Sequence, residues 1–291
     1  VRARRAATAH EGAIEIGLLG RGIGASLTPI MHEHEGRRLG LAYRYDLIDF
    51  DVLGLDDVDL GLMLESVGAA GYRGVNVTFP FKQAILPMLD ELSASAQRVG
   101  GVNTVVFHGH RRHGHNTDCF GFAESMRYGL GAVDMHTVVQ VGAGGAGGAV
   151  AQALADLGVQ RLAIVDVDAR RAGQLAKRVA SANGISVTQY GPEALGDLLP
   201  AASGLVNATP VGMEKLPGMP VDPALLKPSQ WVADIIYFPR ETELIRRAQA
   251  LGCKVLPGGG MAVFQAVRAF ELFAGVAPDS AEMARTFAVY A

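Results

Sequence analysis

Val138-Val-Gln-Val-Gly142-Ala-Gly144-Gly-Ala-Gly147-Gly148 decides the reading of this chain. A short apolar run ends in glycines spaced G-x-G-x-x-G, and an alanine-rich helical pattern follows from Ala149 to Leu157. That order has a physical reason. Gly142 permits a tight strand-to-helix turn, Gly144 lacks the Cβ that would hold a diphosphate away, and Gly147 lets the helix lie close on its strand. The first N–H groups of the helix then face the anion, with Ala143, Gly145 and Ala146 completing the cradle. A glycine-rich turn alone says little; its place between a strand and a helix makes it a dinucleotide fingerprint. The next strand, Arg161 to Val165, ends at Asp166, about twenty residues past the last glycine. There the fingerprint expects an acid for the ribose hydroxyls.

Working outward, the 291 residues allow two domains of ordinary size. The composition, 49% hydrophobic and 19% charged, is that of a globular protein. A formal charge of −3, with no basic run interleaved with aromatics, gives no reason to expect nucleic acid. No apolar stretch reaches the roughly 18 residues of a membrane span. Cys119 and Cys253 form no motif, which suits a reducing cytoplasm. Residues 1–11 carry Arg2, Arg4 and Arg5 with no apolar core region behind them, and read as a disordered tail or an expression remnant.

Ahead of the glycine turn, strand and helix patterns alternate. Ile14 to Leu19 is a strand, and Ile30 to Leu39 a helix with Pro29 in its first turn and Thr28 as its cap. Tyr43 to Asp49 and Gly74 to Thr78 are strands, with a helix at Asp57 to Gly68 between them. Phe79-Pro-Phe-Lys82 turns the chain into another helix. Val102 to Phe107 and His113 to Thr117 form a hairpin, and Gly121 to Gly129 a helix. Behind the glycine turn come strands at Leu162–Val165, Ser186–Gln189, Gly204–Thr209, Trp231–Ile236 and Lys254–Leu256. Helices are expected at Arg170–Ala182, Glu241–Ala250 and Val263–Phe273. The fold class is therefore α/β: an N-terminal α/β substrate domain and a Rossmann-type doubly wound parallel sheet, with the active site in the cleft between them. The expected boundaries are 12–120, completed by 262–291, for the first and 121–261 for the second.

A nicotinamide domain needs a partner that holds substrate and moves a proton. The first domain offers Ser26, Thr28, Asn76, Thr78, Lys82, Asn103 and Asp118. Hydroxyls and amides at this density suit a ligand with several hydroxyls and a carboxylate. Lys82, behind Phe79 and Phe81, is open to desolvation that would bring its pKa towards neutrality, and Asp118 is placed to orient it. On spacing alone, Lys82 reads equally as a solvated first-turn lysine and Asp118 as a helix cap.

Six segments in order resemble the shikimate dehydrogenase family: Ser26-Leu-Thr-Pro29, Val75-Asn-Val-Thr-Phe-Pro-Phe-Lys82, Gly101-Val-Asn-Thr104, His115-Asn-Thr-Asp118, Asn207-Ala-Thr-Pro-Val-Gly-Met213 and Gly259-Gly-Met-Ala-Val-Phe-Gln-Ala266. The resemblance covers nearly everything from Ile14 onward. It implies reversible oxidation of a ring hydroxyl on a cyclohexene or cyclohexane carboxylate, with NAD or NADP. It implies Lys82 and Asp118 as the catalytic pair, and Ser26, Thr28 and Tyr237 at the substrate carboxylate. Asn76, Thr78, Asn103 and Gln265 would hold ring hydroxyls. Asn207, Thr209, Pro210 and Met213 would lie beside the cofactor, and Gly260 and Met261 against the nicotinamide. The last helices would return to the substrate domain.

Two departures carry information. NADP-using members of that family read N-R-T-x-x-R after the second nucleotide strand; here the stretch is Asp166-Val-Asp168-Ala-Arg170-Arg171. A carboxylate can accept both ribose hydroxyls but repels a phosphate dianion, so Asp166, with Asp168 beside it, indicates NAD rather than NADP, although Arg170 and Arg171 at the helix start could offer a phosphate partial compensation. Thr28 replaces the usual second serine of the substrate loop, a pattern similar to NAD-using members that act on quinate as well as shikimate; neutral Ser/Thr exchange is the alternative. The expectation is an NAD-dependent quinate/shikimate 3-dehydrogenase, monomer or homodimer. A biosynthetic shikimate dehydrogenase, an aminoshikimate-type relative and a ligand sensor that binds without turnover are the competing readings. His32 and His34 lie two apart on a helix, facing different ways, and the histidines of the 108–115 hairpin have no matching acid or thiol, so no metal is expected.

Overall fold

The computed structural model describes residues 12–291, so the expected tail at 1–11 lies outside the described residues. Contacts divide the chain into two compact units, one of residues up to Thr117 together with Ala266–Ala291, the other Asp118–Gln265.

The first unit begins with β1 (Ile14–Gly20), α1 (Thr28–Arg38), β2 (Tyr43–Asp49) and the one-turn α2 (Phe50–Leu53). It continues with α3 (Leu60–Ala69), β3 (Gly74–Val77), β4 (Glu91–Leu92), α4 (Ala94–Val99), β5 (Thr104–His108) and β6 (Arg111–His115). The sheet order is β2-β1-β3-β5-β6-β4. β1 runs parallel to β2 and β3, whereas β3, β5 and β6 are successively antiparallel. Apolar side chains leave β1 on both faces, as a sheet covered on both sides requires. Leu19 joins Phe50, Leu64, Val75 and Phe81 in one core, and Ile16 and Leu18 join Tyr45, Ala269 and Phe273 in another.

The chain crosses between the units within α5 (Thr117–Gly129). The second unit then alternates β7 (Thr137–Val141), α6 (Gly145–Asp156), β8 (Arg161–Val165), α7 (Ala169–Asn183), β9 (Ser186–Tyr190), α8 (Leu195–Leu198), β10 (Gly204–Asn207), β11 (Trp231–Asp234), α9 (Glu243–Ala250) and β12 (Lys254–Leu256). Its six strands lie in the order β12-β11-β10-β7-β8-β9, all parallel, which is the doubly wound topology. The cofactor fingerprint belongs at the ends of β7 and β10, where that order reverses. Two long helices, α10 (Gly259–Ala274) and α11 (Ser280–Tyr290), close the chain.

Two local expectations need correction. Thr28 is the first residue of α1 and not its cap; Leu27 takes the cap position and has no side-chain bond to offer. No α-helix follows Lys82. The segment makes turns and a single 3-10 turn at Leu86–Met88, because Pro87 has no N–H with which to carry an α-helical ladder on. Asp51 and Asp57, each in the first turn of a short helix, also bind the Arg21 guanidinium, at 2.7 Å and 2.8 Å. No helix among the described residues is long and apolar enough to cross a membrane.

Candidate active site

In the first unit, the loop after β1 carries Ser26 and Thr28, both half-buried. Glycines at 20, 22 and 24 leave Ile23 as the buried apolar anchor of this loop, and hydrogen bonds from its neighbours set the rest of its shape. The buried Asp49 carboxylate at the end of β2 accepts the N–H groups of Gly22 and Ile23 at 3.1 and 2.9 Å. Arg21 N–H donates to the Phe79 carbonyl at 3.0 Å, and its guanidinium also reaches the Leu55 carbonyl. Ser26 Oγ accepts the Thr28 N–H at 3.4 Å. The loop is thereby fixed to the segment that carries Thr78 and Lys82. Arg21 and Asp49 were not singled out from sequence, where one looked like an ordinary loop charge and the other like the polar end of a strand.

Asn76 on β3 and Asn103, just before β5, are each 4% exposed. The Asn76 amide donates to Thr104 Oγ1 at 2.9 Å and to the Asn103 carbonyl at 3.2 Å. Lys82 is half-buried, and its carbonyl accepts the Val102 N–H at 2.8 Å, which holds the turn beside the Asn103 segment. Of the two phenylalanines expected to desolvate Lys82, only Phe81 is buried, against Phe50; Phe79 is 73% exposed.

In the second unit, Asp118 sits in the first turn of α5 and is buried. It lies close enough to Tyr237 to act on it: desolvation raises the phenol above its ordinary value, and the Asp118 charge raises it further. Gly121, one turn on, is needed because a Cβ there would stand 2.8 Å from the Gln265 nitrogen and the Met261 carbonyl of α10. This close approach brings Gln265 and Met261 alongside the helix of Asp118.

The glycine turn has the shape its spacing requires. Gly142 has φ +104°, and a Cβ on it would lie 2.7 Å from the Ala208 carbonyl. A Cβ on Gly147 would collide with the Gly142 carbonyl, whereas one on Gly144 would meet nothing within 4 Å. The open face at Gly144 is the side from which a diphosphate would approach the start of α6. Gln140, buried in β7, donates its amide to the carbonyls of Gly142 and Gly147 at 2.8 and 2.9 Å. A lone amide inside an apolar strand was the available signal for this role.

Asp166 follows β8 as expected. Its Oδ2 accepts the Ala143 N–H at 2.7 Å; Oδ1 accepts the Asp168 N–H at 2.9 Å and Arg171 Nη2 at 3.0 Å. Desolvation pushes its pKa up, but these two N–H groups and Arg171 together outweigh it and hold the carboxyl below its ordinary value. A carboxylate has about four acceptor sites, and three are engaged within the protein. Holding both ribose hydroxyls at once therefore requires Arg171 to give up Oδ1. Asp168 caps α7 through the Arg171 N–H at 3.0 Å.

Asn207 is fully buried, and both ends of its amide shape its own loop. It donates to the Val211 carbonyl and to Asp234, and it accepts from the Thr209 N–H and hydroxyl. Asp234, missed from sequence, binds Asn207, the Ile236 N–H and the Thr242 hydroxyl, tying the 207–213 loop to the strand end that precedes Tyr237. Met213 and Pro210 lie on that loop, Met213 being 40% exposed. His32 and His34 bond to different partners, Tyr43 and Thr286. Among the described residues no group of three or more His, Cys, Asp or Glu is arranged to hold a metal ion.

The profile of the shikimate dehydrogenase substrate binding domain matches residues 18–105. A shikimate dehydrogenase (NADP(+)) of Streptomyces avermitilis is 48% identical over 269 residues, 92% of each chain. The chain belongs to the shikimate dehydrogenase family. A second relative from that family, the quinate/shikimate dehydrogenase (NAD(+)) of Corynebacterium glutamicum, is 46% identical over 278 residues, 94% of this chain and 98% of that one. The solved structure of a quinate dehydrogenase from Corynebacterium glutamicum in complex with NAD superposes with a TM-score of 0.91 at 45% identity, covering 95% and 99% of the two chains.

Proposed function

We propose that this member of the family is an NAD-dependent dehydrogenase that interconverts quinate with 3-dehydroquinate and shikimate with 3-dehydroshikimate. Relatives of nearly equal identity carry names with NAD and with NADP, so similarity alone leaves the cofactor undecided. The observation that carries the choice is the Asp166 carboxylate after β8, ionised at neutral pH and bound to the glycine turn. A 2′-phosphate brought to this position would meet a like charge that Arg171 offsets only in part.

A nicotinamide dinucleotide held at the Gly142–Gly147 turn would supply the hydride acceptor for C3 of the ring. The residues of this chain do the rest. Ser26, Thr28 and Tyr237 hold the carboxylate, and Asn76, Thr78, Asn103 and Gln265 hold the ring hydroxyls. Lys82 takes the proton of the C3 hydroxyl as an amine and returns it to the carbonyl oxygen as an ammonium in the reverse direction, with Asp118 as its companion charge. The Gly142–Gly147 turn and the start of α6 receive the diphosphate, and Met261 the nicotinamide. A cytoplasmic setting and a monomer or homodimer belong to the same proposal.

The test is kcat/KM for quinate and for shikimate, each with NAD and with NADP, followed at the NADH absorbance band. Turnover of quinate with NAD well above the other cofactor supports the proposal. Preference for shikimate with NADP would favour a biosynthetic enzyme. No turnover of any ring acid would favour a sensor.

A further inference from the structure

Tyr45 lies on β2 outside every motif that identified the family, yet it is 5% exposed and its hydroxyl donates to Asn76 Oδ1 at 2.7 Å. That bond begins a one-way chain. With its oxygen facing Tyr45, Asn76 turns its NH2 towards β5, donating to Thr104 Oγ1 at 2.9 Å and to the Asn103 carbonyl. A Thr hydroxyl has a single proton, and Thr104 passes it on to Asn103 Oδ1 at 3.1 Å. The same Oδ1 accepts the Thr117 N–H at 2.8 Å while the Asn103 NH2 donates to Thr117 Oγ1 at 2.9 Å, so Thr117 holds both arms of that amide. All five residues are buried in the first unit.

A side-chain amide carries its donor and acceptor on nearly identical arms, and what surrounds it decides which arm points where. We propose that Tyr45 is a positioning residue for substrate recognition: as the head donor of this chain, it fixes the amide orientation of Asn76 and, through Thr104, supports the Asn103 oxygen, and so holds both side chains in place for the ring hydroxyls. This rests on the reading of those two asparagines as hydroxyl-binding residues. The hydroxyl suits the task. Burial raises the phenol well above its ordinary pKa, so the oxygen keeps its proton throughout the working pH range. The ring is held edge-on by His32 at 5.1 Å between centroids, which leaves it little freedom to swing the donor away. With that proton removed, Asn76 Oδ1 would be buried without its donor, an expensive state that favours reorientation of the amide.

Tyr45→Phe removes one oxygen and keeps the ring. The expected result with the unaltered chain as reference is a rise of about five- to tenfold in KM for the ring acid, the scale of one lost hydrogen bond. KM for NAD and kcat should each stay within about twofold. In an Asn76→Ala background, Tyr45→Phe should change kcat/KM by less than about twofold, because Tyr45 acts through Asn76. Thr104→Val cuts the same chain one link later and should reproduce the substrate-selective rise. Additive effects of Tyr45→Phe and Asn76→Ala, an unchanged KM for the ring acid, or equal rises in both KM values would each overturn the role of Tyr45. Failure of the unaltered protein to turn over any ring acid would instead overturn the substrate reading on which this role rests.

Discussion

Asp166 Oδ2 accepts the Ala143 N–H at 2.7 Å, so the acid that follows β8 is built into the glycine turn that follows β7. One carboxylate thus bears on both cofactor choice and the shape of the diphosphate cradle. Asp166→Asn keeps an acceptor for Ala143 and removes the charge. It should shift the ratio of kcat/KM with NADP to that with NAD upward by about tenfold or more, the scale of ~1.4 kcal/mol. Steady-state kinetics with both cofactors measure this ratio directly. An unchanged ratio would mean that the charge of Asp166 does not select the cofactor.

Two glycines of the same turn should respond to alanine in opposite ways. Gly144 has φ −72° and open space where a Cβ would go, so Gly144→Ala should leave stability within about 0.5 kcal/mol. The added methyl stands on the side of the diphosphate and should raise KM for NAD about tenfold. Gly147→Ala forces a Cβ onto the Gly142 carbonyl and should cost about 1–3 kcal/mol of stability. Thermal unfolding read beside cofactor titration separates the two. A stable Gly147→Ala protein would contradict the close packing described for that residue.

Loss of the acid–base pair should act on the chemical step. Lys82→Ala and Asp118→Asn should each lower kcat by more than about a hundredfold, the usual scale for proton-transfer assistance. Calorimetry should show NAD still binding to the Lys82→Ala protein. Near-normal turnover in both variants would end the assignment.

Acid should destabilise the first unit through two histidines. Burial, followed by the positive charges of His113, Arg268 and His108, pushes His115 down to about 4. Burial pushes His32 to about 3, partly offset by the Ala266 backbone. Both titrate near 6.5 once unfolded. Between those values the unfolded chain binds more protons, so stability rises with pH across the window. The contribution is complete above about pH 6.5 and is lost as pH falls towards 4. Urea midpoints at several pH values should show this slope, and His115→Gln should flatten part of it. A slope unaltered by His115→Gln would place the proton uptake elsewhere.

Much of this molecule follows from local rules. The glycine spacing dictates a strand–turn–helix because only glycine tolerates φ +104° at Gly142 and the backbone contact at Gly147. Apolar period and turn residues place most strands within a residue or two, and the acid at Asp166 falls where its strand ends. These signals lie in neighbouring residues and survive without knowledge of the fold. The missing helix after Lys82 and the displaced cap at Thr28 arose where prolines and a loop held from outside override propensity. What sequence reading could not reach are bonds between residues distant along the chain: Tyr45 with Asn76, Asp49 with Gly22 and Ile23, Asp234 with Asn207, and Asp166 with the Ala143 N–H. Each partner looks locally like an ordinary strand or loop residue. Only pairing across parallel strands brings them within 3 Å or so of each other, and that pairing sets which way an amide or carboxylate points.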